Sequence, residues 1–346
     1  MIETRTTNPA EAMLGGRGGQ DLLQVRNLSV DFYTPRGPAR AVDNVSFSVA
    51  PGEVFGLAGE SGCGKSTVAH SIMRLIKSPG QIVGGELIFK GRDILSLSTD
   101  ELQHFRWSEI SIVFQSAMNA LNPVMTLGDQ LCDAIRAHQS ISKKQAMERS
   151  AELFDLVGIA AIRLRSFPHE LSGGMRQRSV IAMALALNPS LVIMDEPTTA
   201  LDVVVQRDIL QQIEDLQARL GFSILFITHD LSLLVEFSTR LAIMYAARIA
   251  EFAPSAELFS HPKHPYTVGL MNSFPSIRGE KKHLQGIPGT LPDLVQPPLG
   301  CRFAPRCPRV MSRCTSIDPL LREVTPGHWV ACHLYDAQVG GSHATA

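Results

Sequence analysis

Gly59-Glu-Ser-Gly-Cys-Gly-Lys-Ser-Thr67 is a glycine-rich stretch that fits the phosphate-loop pattern G-x-x-x-x-G-K-[ST]. In this pattern glycines let backbone N–H groups surround phosphates, and the helix that follows offers its positive N-terminus. Lys65 can reach the β- and γ-phosphates, and the Ser66 hydroxyl can ligate Mg²⁺. We therefore predict that ATP and Mg²⁺ bind along this loop. The expected nucleotide contacts are Gly59, Ser61, Gly62, Cys63, Gly64, Lys65, Ser66 and Thr67.

The flanking residues supply the strand and the helix that a phosphate loop requires. Val54-Phe-Gly-Leu-Ala58 is a short apolar run, which is typical of a strand buried on both faces of a sheet. A helix is predicted from about Lys65 to Ile76. The pattern favours an α/β fold of the P-loop NTPase class. Further strands are predicted over Leu22–Phe32, Ala41–Val49, Gly84–Phe89, Ile110–Gln115, Leu191–Met194 and Ser223–Thr228.

A second chemical motif follows the apolar strand Leu191-Val-Ile-Met194, which ends in the carboxylates of Asp195 and Glu196. Charged groups are tolerated at the ends of buried strands, where ligands of open α/β sheets bind. Asp195 suits a role in holding Mg²⁺. Glu196 suits a general base that orients and polarises the attacking water.

Leu171-Ser-Gly-Gly-Met-Arg-Gln-Arg178 is the third motif, and it predicts a helix over Ser172–Leu187. A serine hydroxyl and bare glycine amides at a helix start form an anion site. One chain has one γ-phosphate at its own loop, so a second such helix end indicates that nucleotide is bound between two chains. The predicted contacts are Ser172, Gly173, Gly174 and Gln177.

Along the chain the phosphate loop comes first, Leu171–Arg178 second and Asp195-Glu196 last, and motifs in this order resemble those of the ABC ATPases over about Leu22–Glu251. The resemblance implies that Gln115 touches Mg²⁺ and couples to membrane subunits, and that His229 contacts the γ-phosphate. It also implies that Asp202, in Ala200-Leu-Asp202, contributes to the site. Phe32 resembles the aromatic residue that stacks on adenine, and Tyr33 is a possible substitute.

The family resemblance gives the expected domain organisation. Residues 1–20 form a flexible leader without the apolar segment of a secretory signal. An ABC-type nucleotide-binding domain with an antiparallel β subdomain follows over 21–255, with a helical subdomain over 116–170. Met147, Ala151, Phe154 and Val157 recur there at helical spacing, and Gly158 suits a C-terminal cap. A small C-terminal accessory region with little regular structure is expected over 256–346.

The C-terminal region contains Cys301, Cys307, Cys314 and Cys332, spaced C-x₅-C, C-x₆-C and C-x₁₇-C. Four thiolates suit Zn²⁺ or an iron–sulfur cluster, and four free buried thiols are the alternative. The segment containing Tyr266 and the stretch Gly300–Pro308 resemble the oligopeptide and dipeptide branch, which favours a [4Fe–4S] cluster. His328 and His333 are further ligand candidates that we expect at the surface. All four cysteines follow the nucleotide motifs, so we expect no route from them to ATP chemistry.

Composition and the resemblance together define the expected function. The formal net charge is −1, which does not indicate a dedicated nucleic-acid binder, and no apolar run reaches the length of a membrane span. We expect an ATPase subunit on the cytoplasmic face of the inner membrane that powers import, with di- and oligopeptides as solutes. Expected partners are a second ABC ATPase, with a paralogue favoured, two membrane permease subunits and, indirectly, an extracytoplasmic solute-binding protein.

Other functions remain open at this point. A motor for a nickel complex or a sugar fits the same motifs, as does a regulatory ABC ATPase without transport. A DNA-repair or translation ABC protein would carry coiled-coil insertions or two ATPase domains, which this sequence lacks. Ser166-Phe-Pro-His-Glu170, before the third motif, is closer to importers than to exporters.

Overall fold

The computed structural model describes residues 21–115, 120–198, 201–273 and 286–336. The chain divides into two compact units, and each is described here by itself. The first comprises the described parts of Met1–Ala50, Phe55–Leu95 and Thr228–Ala346, and the second comprises Pro51–Val54 and the described parts of Ser96–Ile227. The predicted leader over 1–20 lies outside the described residues.

The strands and the helices are numbered separately in chain order. The strands are β1 Leu23–Thr34, β2 Gly37–Val49, β3 Val54–Ala58, β4 Gly80–Phe89, β5 Arg92–Asp93, β6 Ile110–Val113, β7 Leu191–Asp195, β8 Ser223–Thr228, β9 Arg240–Tyr245, β10 Arg248–Pro254, β11 Arg322–Thr325 and β12 His328–Val330. The helices are α1 Lys65–Ile72, α2 Thr99–Ser108, α3 Leu127–His138, α4 Lys143–Leu156, α5 Gly173–Ala184, α6 Val203–Leu220, α7 Leu231–Phe237, α8 Ser255–Ser260 and α9 Pro265–Asn272.

The first unit contains an antiparallel sheet with strand order β2-β1-β4-β5. Leu23 and Val25 of β1 are fully buried, as are Leu28 and Val30 after a register irregularity, as expected for a strand with one face on a core. This sheet is the antiparallel β subdomain that the sequence predicts. Its strands extend beyond the predicted limits, because β1 and β2 continue into the turn between Thr34 and Gly37.

The first unit also contains strands in the order β11-β12-β10-β9-β3. β3 pairs in parallel with β9, and the remaining neighbours are antiparallel. The rings of Phe47 and Phe55 stack at 4.9 Å, and Phe252 stacks on Phe55 at 6.0 Å. These aromatic contacts place β3, which leads into the phosphate loop, inside a packed core.

The second unit contains the parallel strands β8-β7-β6. Every residue of β7 and β8 is buried, which explains their continuous apolar sequences. Residues 120–170 form α3 and α4, which start at the side-chain caps Thr126 and Ser142. Gly158 has φ +66° directly after the end of α4, as its predicted capping role requires.

The region after residue 256 has more regular structure than the sequence indicates. It contains α9 and the short strands β11 and β12, and β12 pairs with β10 through Glu251↔Val330 and Phe252↔Trp329. The prediction of little regular structure is therefore wrong for this part. These strands are too short to show a hydrophobic period, and β12 is stabilised by pairing with a distant strand. No helix among the described residues has the length and apolarity to cross a bilayer.

Candidate nucleotide site

The phosphate loop joins β3 to α1, and its glycines are required by close backbone contacts. A Cβ at Gly59 would lie 2.2 Å from the Met244 carbonyl oxygen, and one at Gly64 would lie 2.3 Å from the Ala41 carbonyl oxygen. Both glycines also have positive φ, +148° and +112°. Only glycine can occupy these two positions, because any side chain would clash with the neighbouring carbonyl oxygens.

Lys65 is held within the loop by the loop's own carbonyl groups. Its Nζ donates to the carbonyl oxygens of Gly59, at 2.7 Å, and Glu60, at 3.1 Å, and the side chain is buried. An ammonium in this position can exchange those acceptors for phosphate oxygens over a short distance. Ser66 and Thr67 lie in the first turn of α1, and Ser61 is exposed on the loop.

Cys63 is buried, and its thiol packs inside the loop 3.7 Å from Lys65 Nζ. Its carbonyl accepts from Ala247 N at 2.9 Å. Burial raises the pKa of the thiol, and the neighbouring Lys65 lowers it. The side chain therefore packs as a small apolar group and is not placed as a reactive thiolate.

Phe32, Tyr33 and His229 are the remaining predicted nucleotide contacts in the first unit. Phe32 is half-buried, and its ring lies over Gly80, where an added Cβ would be 2.7 Å from Phe32 Cε1. The neighbouring Tyr33 is 52% exposed. His229 is exposed directly after β8.

In the second unit, Gln115 and Glu196 are brought together. Gln115 Nε2 donates to Glu196 Oε2 at 3.0 Å. Glu196 has φ +49°, a conformation uncommon for a residue with a side chain, and its N–H donates to Ile227 O at 2.8 Å. Such backbone strain is concentrated at functional sites. Asp195 is buried at the end of β7.

The Leu171–Arg178 motif forms the start of α5. Ser172 is its N-cap, and Ser172 Oγ accepts from Met175 N at 3.3 Å. A Cβ at Gly174 would lie 2.9 Å from Val205 Cγ1, so α5 and the start of α6 pack closely. Asp202 caps α6 by accepting from Val205 N at 3.0 Å. Ala200, in the same predicted segment as Asp202, lies outside the described residues.

Gln177 is buried on α5, at 2% exposure. Its Nε2 has no hydrogen-bond partner within the described parts of the chain. A buried donor without a partner is costly, which is consistent with a predicted binding role at this position.

Comparisons with known proteins bear on what these motifs do. The family described as "ABC transporter" matches residues 42–199, and the family described as "Oligopeptide/dipeptide transporter, C-terminal region" matches residues 250–314. The chain is 48% identical over 315 residues to a probable peptide ABC transporter ATP-binding protein, y4tR, from Sinorhizobium fredii, covering 90% of this chain and 94% of the relative. The chain belongs to the ABC transporter ATP-binding proteins, in the oligopeptide/dipeptide branch.

Two further relatives also match nearly the whole chain. The oligopeptide transport ATP-binding protein OppD of Escherichia coli is 42% identical, covering 96% of this chain and 97% of its own. The corresponding protein AppD of Bacillus subtilis is 42% identical, covering 92% and 98%. The chain is therefore an ABC ATPase with the P-loop NTPase fold. A solved ATP-binding cassette, a dimer in a post-hydrolysis state with ADP and Pi, is similar at TM-score 0.61 and 27% identity, over 67% of this chain and 98% of its own.

The four cysteines of this ABC ATPase's C-terminal region lie in one neighbourhood. Burial raises the pKa of Cys332 to about 11, and the charges of Cys301, Cys307 and Cys314 add to that effect. Cys301 N donates to Cys314 O at 2.8 Å. Within the described residues, which include all four cysteines, no group of three or more His, Cys, Asp or Glu side chains is arranged to hold a metal ion. The predicted metal centre therefore gains no support from this arrangement, and burial raises the pKa of the Cys301, Cys307 and Cys332 thiols, which favours their neutral form.

The prediction that His328 and His333 lie at the surface is wrong, because both are buried. His328 Nε2 lies 2.7 Å from Glu251 Oε1, and Glu251 also accepts from the backbone N–H groups of Lys263 and His264. His333 Nδ1 lies 2.8 Å from Asp336 Oδ2. Both histidines have carboxylate partners, which compensate for burial of a polar ring; the partner of His328 is distant in sequence, and that of His333 is three residues away.

Three residues near the phosphate loop were not predicted: Glu60, Tyr266 and Arg306. Glu60 N donates to Tyr266 Oη at 2.9 Å, and Arg306 donates to both carboxylate oxygens of Glu60. The C-terminal region therefore contacts the phosphate loop through Tyr266 and Arg306, while the expectation that the four cysteines have no route to ATP chemistry stays a prediction. The one available signal was the resemblance of the Tyr266 and Gly300–Pro308 segments to the family, and it did not indicate a contact.

Proposed function

We propose that this chain is the ATP-hydrolysing subunit of an importer of di- or oligopeptides. The observation that carries the proposal is the match of residues 250–314 to the C-terminal region of oligopeptide/dipeptide transporters, in a chain whose residues 42–199 match the ABC transporter family. The relatives described above are named for peptide or oligopeptide transport. A motor for another solute, such as a nickel complex or a sugar, is the alternative.

The nucleotide-site residues act together in the proposed mechanism. Lys65 binds the β- and γ-phosphates, while Ser66, Gln115 and Asp195 would hold Mg²⁺, which neutralises charge on the phosphates when bound. Glu196 takes a proton from the attacking water, and the contact from the Gln115 amide fixes the Glu196 carboxylate.

Adenine stacks on Phe32, with Tyr33 the alternative, and His229 contacts the γ-phosphate. Phe32 is preferred over the more exposed Tyr33, because its half-buried ring over Gly80 offers a fixed surface for adenine. The backbone N–H groups around Gly62 and Gly64 complete the phosphate contacts.

The active unit is proposed to be a pair of ABC ATPases. The start of α5, with Ser172, Gly173 and Gly174, would complete the site of the partner, and Asp202 would line the same junction. The likeness to a cassette solved as a dimer supports this arrangement. We propose a paralogue as the partner, two membrane permease subunits, and a peripheral location on the cytoplasmic face of the inner membrane. An extracytoplasmic solute-binding protein would deliver the peptide to the permeases.

The test is transport by the complete complex. The chain is copurified with its partners, the subunits are identified, and the complex is placed in liposomes with the solute-binding protein. We expect ATP-dependent uptake of labelled di- or oligopeptides, and no uptake when the complex carries Glu196→Gln. Uptake of a sugar or a nickel complex without peptide uptake would overturn the solute assignment. Absence of permease subunits from the purified complex would favour a regulatory ATPase.

We also propose that Cys301, Cys307, Cys314 and Cys332 bind a [4Fe–4S] cluster, with Zn²⁺ as the alternative. The proposal is motivated by four cysteines in one part of the fold, where Cys301 N donates to Cys314 O, and it requires their rearrangement, because the described geometry does not form a ligand group. Protein purified without oxygen should contain iron and acid-labile sulfide, and Cys307→Ser should lose both. Stoichiometric zinc without iron would refute the cluster, and protein without metal would leave four free thiols.

A further inference from the structure

The phosphate loop is contacted at Glu60 by two residues of the C-terminal region. Tyr266, in the first turn of α9, is fully buried, and its Oη accepts from Glu60 N at 2.9 Å. Arg306 approaches from a 3₁₀ turn over Ala304–Arg306 and donates to Glu60 Oε2 at 2.7 Å and Oε1 at 2.9 Å. Glu60 is therefore held at both its backbone and its carboxylate.

The Arg306 side chain is also held by contacts other than those with Glu60. Its Nε donates to Pro288 O at 2.8 Å, a second guanidinium nitrogen donates to Ile287 O at 3.2 Å, and the guanidinium lies 5.7 Å from the centre of the Tyr245 ring. Its side chain is only 5% exposed. A bidentate pair with such support has a defined geometry, unlike a surface ion pair.

The orientation of the Glu60 backbone matters because its two ends serve different groups. Its N–H is directed to Tyr266, while its carbonyl oxygen accepts from Lys65 Nζ at 3.1 Å and from Cys63 N at 3.2 Å. The Glu60 N–H also shares its planar peptide unit with the Gly59 carbonyl, which accepts from Lys65 Nζ at 2.7 Å. A change in the direction of this N–H would therefore disturb one of the acceptors that position the Lys65 ammonium.

The charge of Glu60 matters as well. A carboxylate beside a loop that binds polyphosphate repels the ligand, and the repulsion is strongest where solvent is limited. The Arg306 guanidinium cancels that charge through two short hydrogen bonds. Tyr266 and Arg306 thus act on two separate properties of the same loop residue.

We propose that Tyr266 and Arg306 are positioning residues of the phosphate loop, through which the C-terminal region sets the affinity of this ABC ATPase for ATP. The proposal depends on ATP binding at the loop and not on the identity of the imported solute. Tyr266 fixes the Glu60 peptide, and Arg306 fixes and neutralises the Glu60 side chain.

The experiment measures the Kd of Mg-ATP for the full chain by calorimetry. Arg306→Met should raise Kd about tenfold, because it leaves an uncompensated carboxylate beside the phosphates, and Tyr266→Phe should raise it about threefold by removing one hydrogen bond. Arg306→Lys retains the charge but not the bidentate contact, and should have a smaller effect than Arg306→Met. The lysine variant also keeps the test available if the methionine variant fails to fold.

Rescue by Glu60→Gln separates this role from general support of the fold. The double variant Glu60→Gln with Arg306→Met should bind ATP within about threefold of the parent, because no carboxylate charge remains to be neutralised. A structural role alone predicts that the double variant binds no better than Arg306→Met.

Matched controls come from the same region. Arg302 is also buried but pairs with Asp43 and the Ala246 carbonyl, and Tyr335 Oη donates to Lys263 O at 3.1 Å. Arg302→Met and Tyr335→Phe should lower the melting temperature and leave the Kd of Mg-ATP within about twofold. The proposal would be overturned if the two control variants weakened ATP binding as much as Tyr266→Phe and Arg306→Met do, or if Tyr266→Phe and Arg306→Met left the Kd unchanged. A failure of peptide uptake would leave it untouched, since only ATP binding is measured.

Discussion

Replacing Glu196 by Gln changes the charge at the predicted catalytic position and little else. The side chain keeps its size, and the Gln carbonyl oxygen can accept from Gln115 Nε2 as the carboxylate does now at 3.0 Å. The backbone at φ +49° is no more strained with Gln than with Glu. We therefore expect the fold and the contact with Gln115 to be retained.

Because the contact with Gln115 is retained, the effect of Glu196→Gln on the rate of ATP hydrolysis should be that of removing a general base. Hydrolysis in the assembled transporter should fall by about 10²- to 10⁴-fold, while the Kd of Mg-ATP stays within about threefold of the parent. Phosphate release measures the first quantity, and calorimetry measures the second.

Glu148→Gln is a suitable control, because Glu148 is an exposed residue of α4 that lies 3.9 Å from Lys144. This substitution removes the same charge far along the sequence from the motifs and should leave the rate unchanged. Hydrolysis by Glu196→Gln at the parental rate would show that another group removes the proton. A large loss of ATP affinity would show that Glu196 acts chiefly in binding.

Three other results are expected. Lys65→Ala should raise the Kd of Mg-ATP at least tenfold, measured by calorimetry, because the phosphates lose a charged hydrogen-bond donor; parental affinity would contradict the role. The chain alone should hydrolyse ATP slowly, and phosphate release should rise when permeases and partner ATPase are added, because Ser172–Gly174 serve the other subunit; a fully active monomer would contradict the paired site. Burial lowers the pKa of His264 to about 4, so the unfolded chain binds a proton first as pH falls below 6.5. The free energy of unfolding is therefore highest above pH 6.5 and falls by up to about 3 kcal/mol towards pH 4, as protonation of His264 stabilises the unfolded chain. Between pH 7.5 and 5 the melting temperature of His264→Asn should fall by less than that of the parent. An equal fall in both proteins would refute this.

The nucleotide motifs could be predicted from the sequence because their chemistry depends on local backbone geometry. Gly59 and Gly64 are required by contacts within one loop, and Ser172 caps the helix that begins beside it. The carboxylates of Asp195 and Glu196 follow directly from the end of a buried strand. In each case the residue type and its neighbours carry the information.

The contacts of the C-terminal region could not be predicted in the same way. Arg306 and Glu60 are separated by 246 positions, and nothing near either residue specifies the other. His328 is expected at the surface from the sequence, yet Glu251 supplies a buried partner 77 positions earlier. Long-range pairs compensate for desolvation only once the fold has formed, so their effect is not visible in a short stretch of sequence.

The pairing of β12 with β10 has a consequence for synthesis of the chain. β10 is translated well before β12, and during that interval Glu251 has neither His328 nor the backbone of Val330 beside it. A nascent chain paused between these strands would present an unpaired strand edge and a carboxylate without its imidazole partner. The pairing of β10 with β12 can therefore form only after the C-terminal region has been synthesised, and a chain that lacks His328–Val330 would keep this edge of β10 unpaired.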